Sequence, residues 1–182
     1  PQMPLLTKYF KVLRFDTRGH GSSSAPLDPY SLDELAQDSY DVFQALGIER
    51  THWLGLSMGG MIGQTLILKY PKLFESLVLA DTTSKRPDNA RQMWGERIAQ
   101  AKTEGMRAMV NSTLQRWFAD DFRKNNPAII EEIAEGIAST SVYGYCGCCE
   151  AISHINTFDR LNEIACPTLI MVGENDHGTP PH

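Results

Sequence analysis

Apolar and polar positions in the first half of the chain alternate between strand-like and helical spacing. Short apolar runs at residues 11–15, 51–56 and 76–80 predict strands. The third run is apolar at nearly every position, which is typical of a parallel strand covered on both faces. Between the runs, apolar residues recur at helical spacing over 32–46 and 61–68. This alternation favours an α/β fold with a parallel sheet.

The first long helix carries sequence signals at both of its ends. Ser31 followed by Glu34 predicts a capping box at its start. Gly47 predicts a glycine terminator at its end. The turn-rich residues 16–29 predict a loop before the helix.

The second half of the chain is helical before it returns to a strand. Residues 167–172 form an apolar run followed by a turn, which predicts a further strand. A long helical insertion before this strand predicts a cap over the sheet. Its predicted helices lie near residues 89–103, 106–118, 127–138 and 144–154.

Composition and charge indicate an ordinary globular protein and narrow the classes of partner. The chain has 182 residues and a formal net charge of −5. This charge gives no reason to expect nucleic acid or an anionic membrane as a partner. No apolar run approaches the roughly 18 residues of a membrane helix, and no signal peptide is visible. We therefore expect a cytoplasmic protein with no nucleic-acid or membrane partner.

The cysteines favour reduced, packed thiols over a metal site or a disulfide framework. Three of the four are crowded together at Cys146, Cys148 and Cys149, and the fourth is Cys166. Paired C-x-x-C spacing, as in a zinc site, is absent from the sequence. We predict no metal and no organic cofactor.

The most informative motif is Gly55-Leu56-Ser57-Met58-Gly59, between a predicted strand and a predicted helix. G-x-S-x-G in this context is typical of a nucleophile elbow, in which a strained turn exposes the serine oxygen. We expect a Cβ at Gly55 or Gly59 to crowd the strand against the helix. The alternative interpretation is a glycine-rich turn in another class of α/β protein.

A serine nucleophile needs a histidine base, an acid that orients it, and donors for the oxyanion. The backbone N–H of Met58, directly after the serine, is a predicted oxyanion donor. Asp176 follows the last strand and is the favoured acid, with Asp81 as the alternative.

No histidine of the chain fits the position of the base. The chain contains His20, His52, His154, His177 and His182. The order Ser, acid, His requires a histidine well after Asp176, but His177 is its direct neighbour and His182 is the last residue. We therefore expect the base, and the second oxyanion donor, to lie outside this sequence.

The chain resembles the α/β-hydrolase family, and most of all the 3-oxoadipate enol-lactonases. The resemblance rests on residues 12–26, 55–64, 77–82, 114–118, 144–149 and 166–170. It implies a serine-dependent lactonase of aromatic catabolism with Ser57 as nucleophile, Asp176 as acid and the Met58 N–H as oxyanion donor. It also places Arg116 and Trp117 at the substrate pocket, where a guanidinium suits the carboxylate of the lactone. A solvated surface position is the alternative for Arg116.

The resemblance also implies a division of the chain and two departures from the family. Residues 1–82 correspond to the hydrolase core, 83–161 to a helical cap, and 162–182 to a continuation of the core. Family members have a strand between those represented by 11–15 and 51–56, and they continue beyond Asp176 to the histidine. We therefore expect an incomplete sheet and an inactive fragment.

Two other functions remain open at this level. The same fold serves general carboxylesterases, perhydrolases and C–C hydrolases, and the scaffold does not choose among them. A non-catalytic ligand-binding protein is the alternative outside the enzymes.

Overall fold

The computed structural model describes residues 2–27 and 29–180 of the chain. The strands are β1 Thr51–Leu56, β2 Phe74–Ala80 and β3 Thr168–Met171. The helices, in chain order, are α1 Met3–Leu6, α2 Leu32–Ala45, α3 Met58–Lys69, α4 Ala90–Glu104, α5 Met106–Trp117, α6 Asp120–Asn125, α7 Pro127–Ser139 and α8 Val142–Ser153. Short 3₁₀ turns lie at Pro71–Leu73 and Phe158–Glu163.

The strands form a parallel sheet, as predicted, and their order in it is β1, β2, β3. Parallel neighbours need a crossover connection. Helix α3 lies in the first connection, and α4 to α8 lie in the second. Leu54 pairs with Val78, which pairs with Leu169, so the three strands are aligned. Residues that follow the strands therefore meet at one edge of the sheet.

Both predicted ends of α2 are confirmed. The Ser31 hydroxyl oxygen accepts a hydrogen bond from the Glu34 N–H at 3.2 Å, and the Glu34 carboxylate accepts one from the Ser31 N–H at 2.8 Å. These two bonds satisfy donors that a helix start leaves without an intrahelical partner. At the other end, Gly47 has a φ of 65°. The N–H of Ile48 then donates back to the Phe43 carbonyl at 2.8 Å.

The four helices predicted in the second half are present as α4, α5, α7 and α8, with each end within two residues of its predicted position. Helix α6 was not predicted, because it is only six residues long and mostly polar. Its charges suit a helix, with Asp120 and Asp121 in the first turn and Arg123 and Lys124 in the last.

The predicted strand at residues 11–15 is wrong. This segment has no regular secondary structure, and within the described residues β1 pairs only with β2. An apolar run marks a segment that can enter a sheet, but a strand also needs a neighbouring backbone to bond with. Leu13 and Phe15 are consequently left partly exposed.

Among the residues that the structure describes, the buried side chains form two clusters. The first lies between the sheet and the helices α2, α3 and α8, and it includes Leu35, Leu66 and Leu77. The second lies among α4, α5, α7 and α8, around Met109 and Leu114. The division into residues 1–82, 83–161 and 162–182 stays a prediction.

The two faces of the sheet differ in their packing within the described residues. Leu77 and Leu79 lie on the face that packs into the first cluster, and they are 1% and 6% exposed. The opposite face, here called the open sheet face, consists of Leu54, Leu56, Val78, Ala80, Leu169 and Met171. Its four residues from β1 and β3 are between 51% and 61% exposed.

Among the described residues, none of the helices combines the length and the apolar character that crossing a membrane requires.

Candidate functional site

Ser57 lies in a sharp turn between the last residue of β1 and the first residue of α3. Its φ of 51° and ψ of −116° fall in a region that side-chain-bearing residues rarely occupy. The turn is held by hydrogen bonds from the Ser57 N–H to the Ala80 carbonyl at 2.9 Å and from the Thr82 hydroxyl to the Ser57 carbonyl at 2.7 Å. The side chain is exposed. A strained serine presented at the carboxyl edge of the sheet is the geometry of a nucleophile elbow.

Close packing around the turn explains two glycines of the motif region. A Cβ added at Gly55 would lie 2.3 Å from the Gly59 carbonyl oxygen. A Cβ added at Gly63 would lie 2.5 Å from Nε1 of Trp53, which donates to the Gly59 carbonyl at 2.9 Å. The prediction for Gly59 itself is wrong, because a Cβ there would meet open space. The crowding at the turn comes from the Gly59 backbone and not from the position of its missing side chain.

The backbone N–H of Met58 is available at the same turn. Met58 is the first residue of α3, and the first N–H groups of a helix have no intrahelical acceptor. Within the described residues no other acceptor for this N–H is found. The group can therefore donate to an oxygen that carries negative charge beside Ser57.

Asp176 lies in the loop after β3, and the loop itself fixes its carboxylate. Oδ1 accepts from the N–H groups of Gly178 at 2.7 Å and Thr179 at 3.0 Å, and Oδ2 accepts from the Thr179 hydroxyl at 2.7 Å. Burial alone would raise the pKa of Asp176, but these hydrogen bonds outweigh it and lower the pKa below its ordinary value. The carboxylate is therefore ionised at neutral pH.

Asp81, the alternative acid, is engaged in holding strands together. Its Oδ1 accepts from the Gly173 N–H at 2.9 Å, and its own N–H donates to the Met171 carbonyl at 2.9 Å. Asp81 thus joins the ends of β2 and β3, and the choice of Asp176 as the acid stays a prediction.

The four described histidines have partners other than Ser57, or lie next to Asp176 in the chain. His20 approaches the Arg18 carbonyl at 3.4 Å, and His154 approaches the Glu150 carbonyl at 2.9 Å. His52 contacts the Ser76 hydroxyl at 2.8 Å, at the opposite end of β1 from Ser57. His177 follows Asp176 directly. His182 lies outside the described residues.

The loop after residue 15 is fixed by charge. The guanidinium of Arg18 donates two hydrogen bonds to the Asp38 carboxylate, each 2.5 Å long, and Asp16 accepts from the Ser22 N–H at 3.0 Å. Bidentate ion pairs of this kind are strong, and they also fix the relative orientation of the two side chains. The polar residues of this segment therefore shape the loop and attach it to α2.

Arg116 and Trp117 lie beside the loop that carries Asp176. Together with Asn175 and His177 they line a cavity of about 480 Å³, whose other lining residues are Gln115, Phe118, Ala119, Asp120 and Asp121. Ser57 is not among the lining residues. Trp117 is 55% exposed. The structure thus brings the two predicted pocket residues to the acid loop and leaves Ser57 outside this cavity.

Arg116 is half-buried, so it is not the freely solvated residue of the alternative interpretation. Its guanidinium lies over the Trp94 ring, with 5.5 Å between Cζ and the ring centroid. Burial lowers the pKa of Arg116, and the nearby positive charge of Arg97 lowers it further.

Sequence reasoning missed the neighbours that surround Arg116. Trp94 and Arg97 are three positions apart on α4, a spacing that places both on one helix face. Arg97 donates to the Tyr145 hydroxyl at 2.9 Å and to the Thr113 hydroxyl at 3.0 Å. The spacing was readable in the sequence, but nothing in it linked α4 to α5 and α8.

The cysteines are free, and Cys146, Cys148 and Cys149 are buried, as predicted. Burial raises the pKa of Cys148 and of Cys149 to about 12, so both thiols are protonated at neutral pH. Among residues 2–27 and 29–180, no group of three or more potential metal ligands is found.

Comparison with known proteins gives matches along the whole chain. The profile of the family described as alpha/beta hydrolase fold matches residues 1–182. The 3-oxoadipate enol-lactonase 2 of Acinetobacter baylyi is 34% identical over 169 residues, which are 93% of this chain and 62% of that relative. Enol-lactonase 1 of the same organism is 32% identical over 176 residues, 97% of this chain and 65% of the relative.

A solved structure agrees with these matches. The enol-lactonase from Burkholderia xenovorans LB400 superposes with a TM-score of 0.95 at 34% identity, over 99% of this chain and 68% of that one. The chain thus spans 62% and 65% of the length of the two curated relatives.

Proposed function

This chain belongs to the α/β-hydrolase family, and we propose that the protein is a serine-dependent hydrolase of lactones or esters, similar to the 3-oxoadipate enol-lactonases. The family match confirms the predicted fold, and the relatives confirm the predicted resemblance. The observation that carries the proposal is the backbone of Ser57, which has a positive φ and an exposed side chain between β1 and α3.

The proposed reaction has two steps. The Ser57 oxygen attacks the lactone carbonyl carbon, and the Met58 N–H donates to the oxyanion that forms. Collapse of this intermediate breaks the ring C–O bond and leaves the substrate attached to Ser57 as an ester, while the departing ring oxygen receives the proton that the histidine took from Ser57. Water then attacks this acyl-enzyme and releases the acid. The mechanism uses no metal and no organic cofactor.

In this proposal Asp176 orients the histidine that takes the serine proton. Its carboxylate is ionised and is fixed by three hydrogen bonds from Gly178 and Thr179. This arrangement suits an acid that must hold an imidazole ring in one orientation. None of His20, His52, His154 or His177 is assigned the role of the base.

Arg116 and Trp117 are proposed to bind the substrate. The cavity beside them adjoins the loop of Asp176. A planar guanidinium can hold a carboxylate through two parallel hydrogen bonds, and the lactone of the relatives' named activity carries such a group. We therefore favour a lactone with a carboxylate over a neutral ester as the substrate.

A fluorophosphonate probe tests the nucleophile, because it phosphonylates only activated serines. We expect a protein that includes the predicted histidine base to be labelled and Ser57→Ala to abolish the labelling. Ser112→Ala is the matched control, because the Ser112 hydroxyl lies on α5 and donates to the Met109 carbonyl. Labelling that persists in Ser57→Ala would contradict the assignment, and a protein that is never labelled would support a ligand-binding function.

Turnover of two substrates tests the specificity. In a protein that includes the predicted histidine base, a higher kcat/KM for 3-oxoadipate enol-lactone than for p-nitrophenyl acetate supports the lactonase. The reverse order supports a general carboxylesterase of the same fold.

A further inference from the structure

The helices α4 to α8 join the rest of the chain through two neighbouring segments, here called the neck. The neck consists of residues 83–86, which follow β2, and residues 155–157, which lead back toward β3. The two segments run antiparallel and are joined by an isolated β-bridge. The Thr157 N–H donates to the Ser84 carbonyl across the neck at 2.7 Å. The neck therefore holds together the chain segments that enter and leave this group of helices.

Gln64 connects the neck to the helix that begins beside Ser57. It lies on α3, about two turns after Ser57, and it is 1% exposed. Its amide oxygen accepts a hydrogen bond from the Thr157 hydroxyl at 2.6 Å, and its amide nitrogen donates to the Thr83 carbonyl at 3.2 Å. One buried side chain thus binds both segments of the neck to α3.

The stability of the fold does not by itself explain an amide at this position. The other buried residues of α3 are apolar or glycine. Burying an amide costs free energy that its hydrogen bonds offset, and apolar groups of the same shape in place of both partners can be nearly neutral. Hydrogen bonds are directional, however, so a satisfied buried network specifies one arrangement of the elements that it joins. The amide of Gln64 is therefore suited to fix the orientation of the neck against α3.

The chain directly before the neck contacts the turn of Ser57. The Thr82 hydroxyl donates to the Ser57 carbonyl at 2.7 Å, and a Cβ added at Gly60 would lie 2.7 Å from the Thr82 side chain. At the other end of this connection, α5 carries Arg116 and Trp117. The neck is therefore the joint between the turn of Ser57 and the helices beside the cavity.

We propose that Gln64 is a positioning residue, which holds the helices α4 to α8 in one orientation relative to Ser57 through its hydrogen bonds to the neck. This inference rests on the proposed function, because Arg116 and Trp117 can bind a substrate for Ser57 only in a suitable orientation of these helices. Gln64 acts through Thr157 and Thr83 and not through contact with the substrate.

Amide hydrogen exchange tests this role without any reaction. The reporter is the Arg86 N–H, which donates to the Ile155 carbonyl across the neck at 3.1 Å. We expect Gln64→Met to accelerate exchange at Arg86 by about tenfold, because the neck loses its attachment to α3. Gln92→Met is the matched control, since Gln92 is exposed on α4 and its amide donates to Glu96 of the same helix. Exchange at Arg86 in this control should equal that of the wild type.

Two variants of Thr157 decide the question if Gln64→Met does not fold. Thr157→Val removes the hydroxyl that binds Gln64 and should accelerate exchange at Arg86, whereas Thr157→Ser keeps a hydroxyl and should retain the wild-type rate. Wild-type exchange at Arg86 in Gln64→Met or in Thr157→Val would overturn the proposal.

A double variant separates orientation from stability. Gln64→Met combined with Thr157→Val replaces both partners by apolar groups, so its urea midpoint should stay close to that of the wild type while Arg86 still exchanges faster. Faster exchange that only follows a loss of overall stability would show a merely structural role and would overturn the proposal.

Kinetics of a protein that includes the predicted histidine base separate this inference from the proposed function. We expect the double variant to raise the KM for the enol-lactone several-fold, while fluorophosphonate labels Ser57 at the wild-type rate. An active enzyme whose KM does not change would overturn the positioning role. A wild type that is never labelled would instead contradict the proposed hydrolase, and the exchange at Arg86 would still decide whether Gln64 holds the neck.

Discussion

Replacing Ser57 by glycine should stabilise the protein while removing its hydroxyl. Ser57 has a φ of 51° and a ψ of −116°, and strain of this kind costs on the order of 1–3 kcal/mol for a residue with a Cβ. Glycine adopts this backbone without strain, but it adds roughly 0.5–1 kcal/mol of unfolded-state entropy. Alanine keeps the Cβ and therefore the strain. We expect Ser57→Gly to be more stable than Ser57→Ala by about 1 kcal/mol.

Urea and thermal unfolding of the two variants measure this difference. A change of about 1 kcal/mol corresponds to roughly 2–4 °C in Tm for a chain of this size. Ser112 supplies the control, because it lies inside α5. In a helix the order should reverse, with Ser112→Ala more stable than Ser112→Gly by about 1 kcal/mol.

The comparison has a clear negative outcome. If Ser57→Gly is equal to or less stable than Ser57→Ala while the Ser112 pair behaves as expected, Ser57 is not strained. The elbow would then lack the feature on which the proposed function depends.

Two further predictions concern the packing of the turn and the acid loop. Gly63→Ala should lower the free energy of unfolding by about 1–3 kcal/mol, because the added methyl group overpacks against Trp53. Gly136→Ala on α7 should raise the free energy of unfolding by up to about 1 kcal/mol, because a Cβ there meets open space. Thermal unfolding of both variants measures this contrast, and equal effects would contradict it. Hydrogen bonds lower the pKa of Asp176 below its ordinary value of 3.8. The ionised carboxylate therefore stabilises the folded state above pH 3.8, and this stabilisation is lost as the pH falls through the lower pKa of the folded state. The stability difference between wild type and Asp176→Asn should therefore shrink below about pH 4, and a difference that stays constant in urea titrations across this range would contradict the reasoning.

The sequence was sufficient to predict those secondary-structure elements whose signals lie in residues close together in the chain. The capping box of Ser31 and Glu34, the turn at Gly47 and the apolar runs of β1, β2 and β3 all depend on residues close in the chain. The elbow could also be predicted, because its motif and the strand and helix around it are contiguous.

Other features depend on which parts of the chain meet. The run at residues 11–15 has the composition of a strand, but strand formation depends on a neighbouring backbone that no local pattern reveals. Gly59 belongs to the motif, yet the direction of its missing Cβ follows from the exact course of the turn. The contacts of Arg97 with Thr113 and Tyr145 join three helices, so spacing within α4 could not predict them.

The open sheet face has a practical consequence for all of these measurements. Six apolar side chains that project side by side from β1, β2 and β3 offer a surface on which two molecules can associate. Association obeys mass action, so an unfolding midpoint would then rise with the amount of protein in the cuvette. Each stability comparison therefore belongs in a dilution series, and a charged substitution at Leu54 or Leu169 provides a variant whose midpoint should no longer vary with dilution.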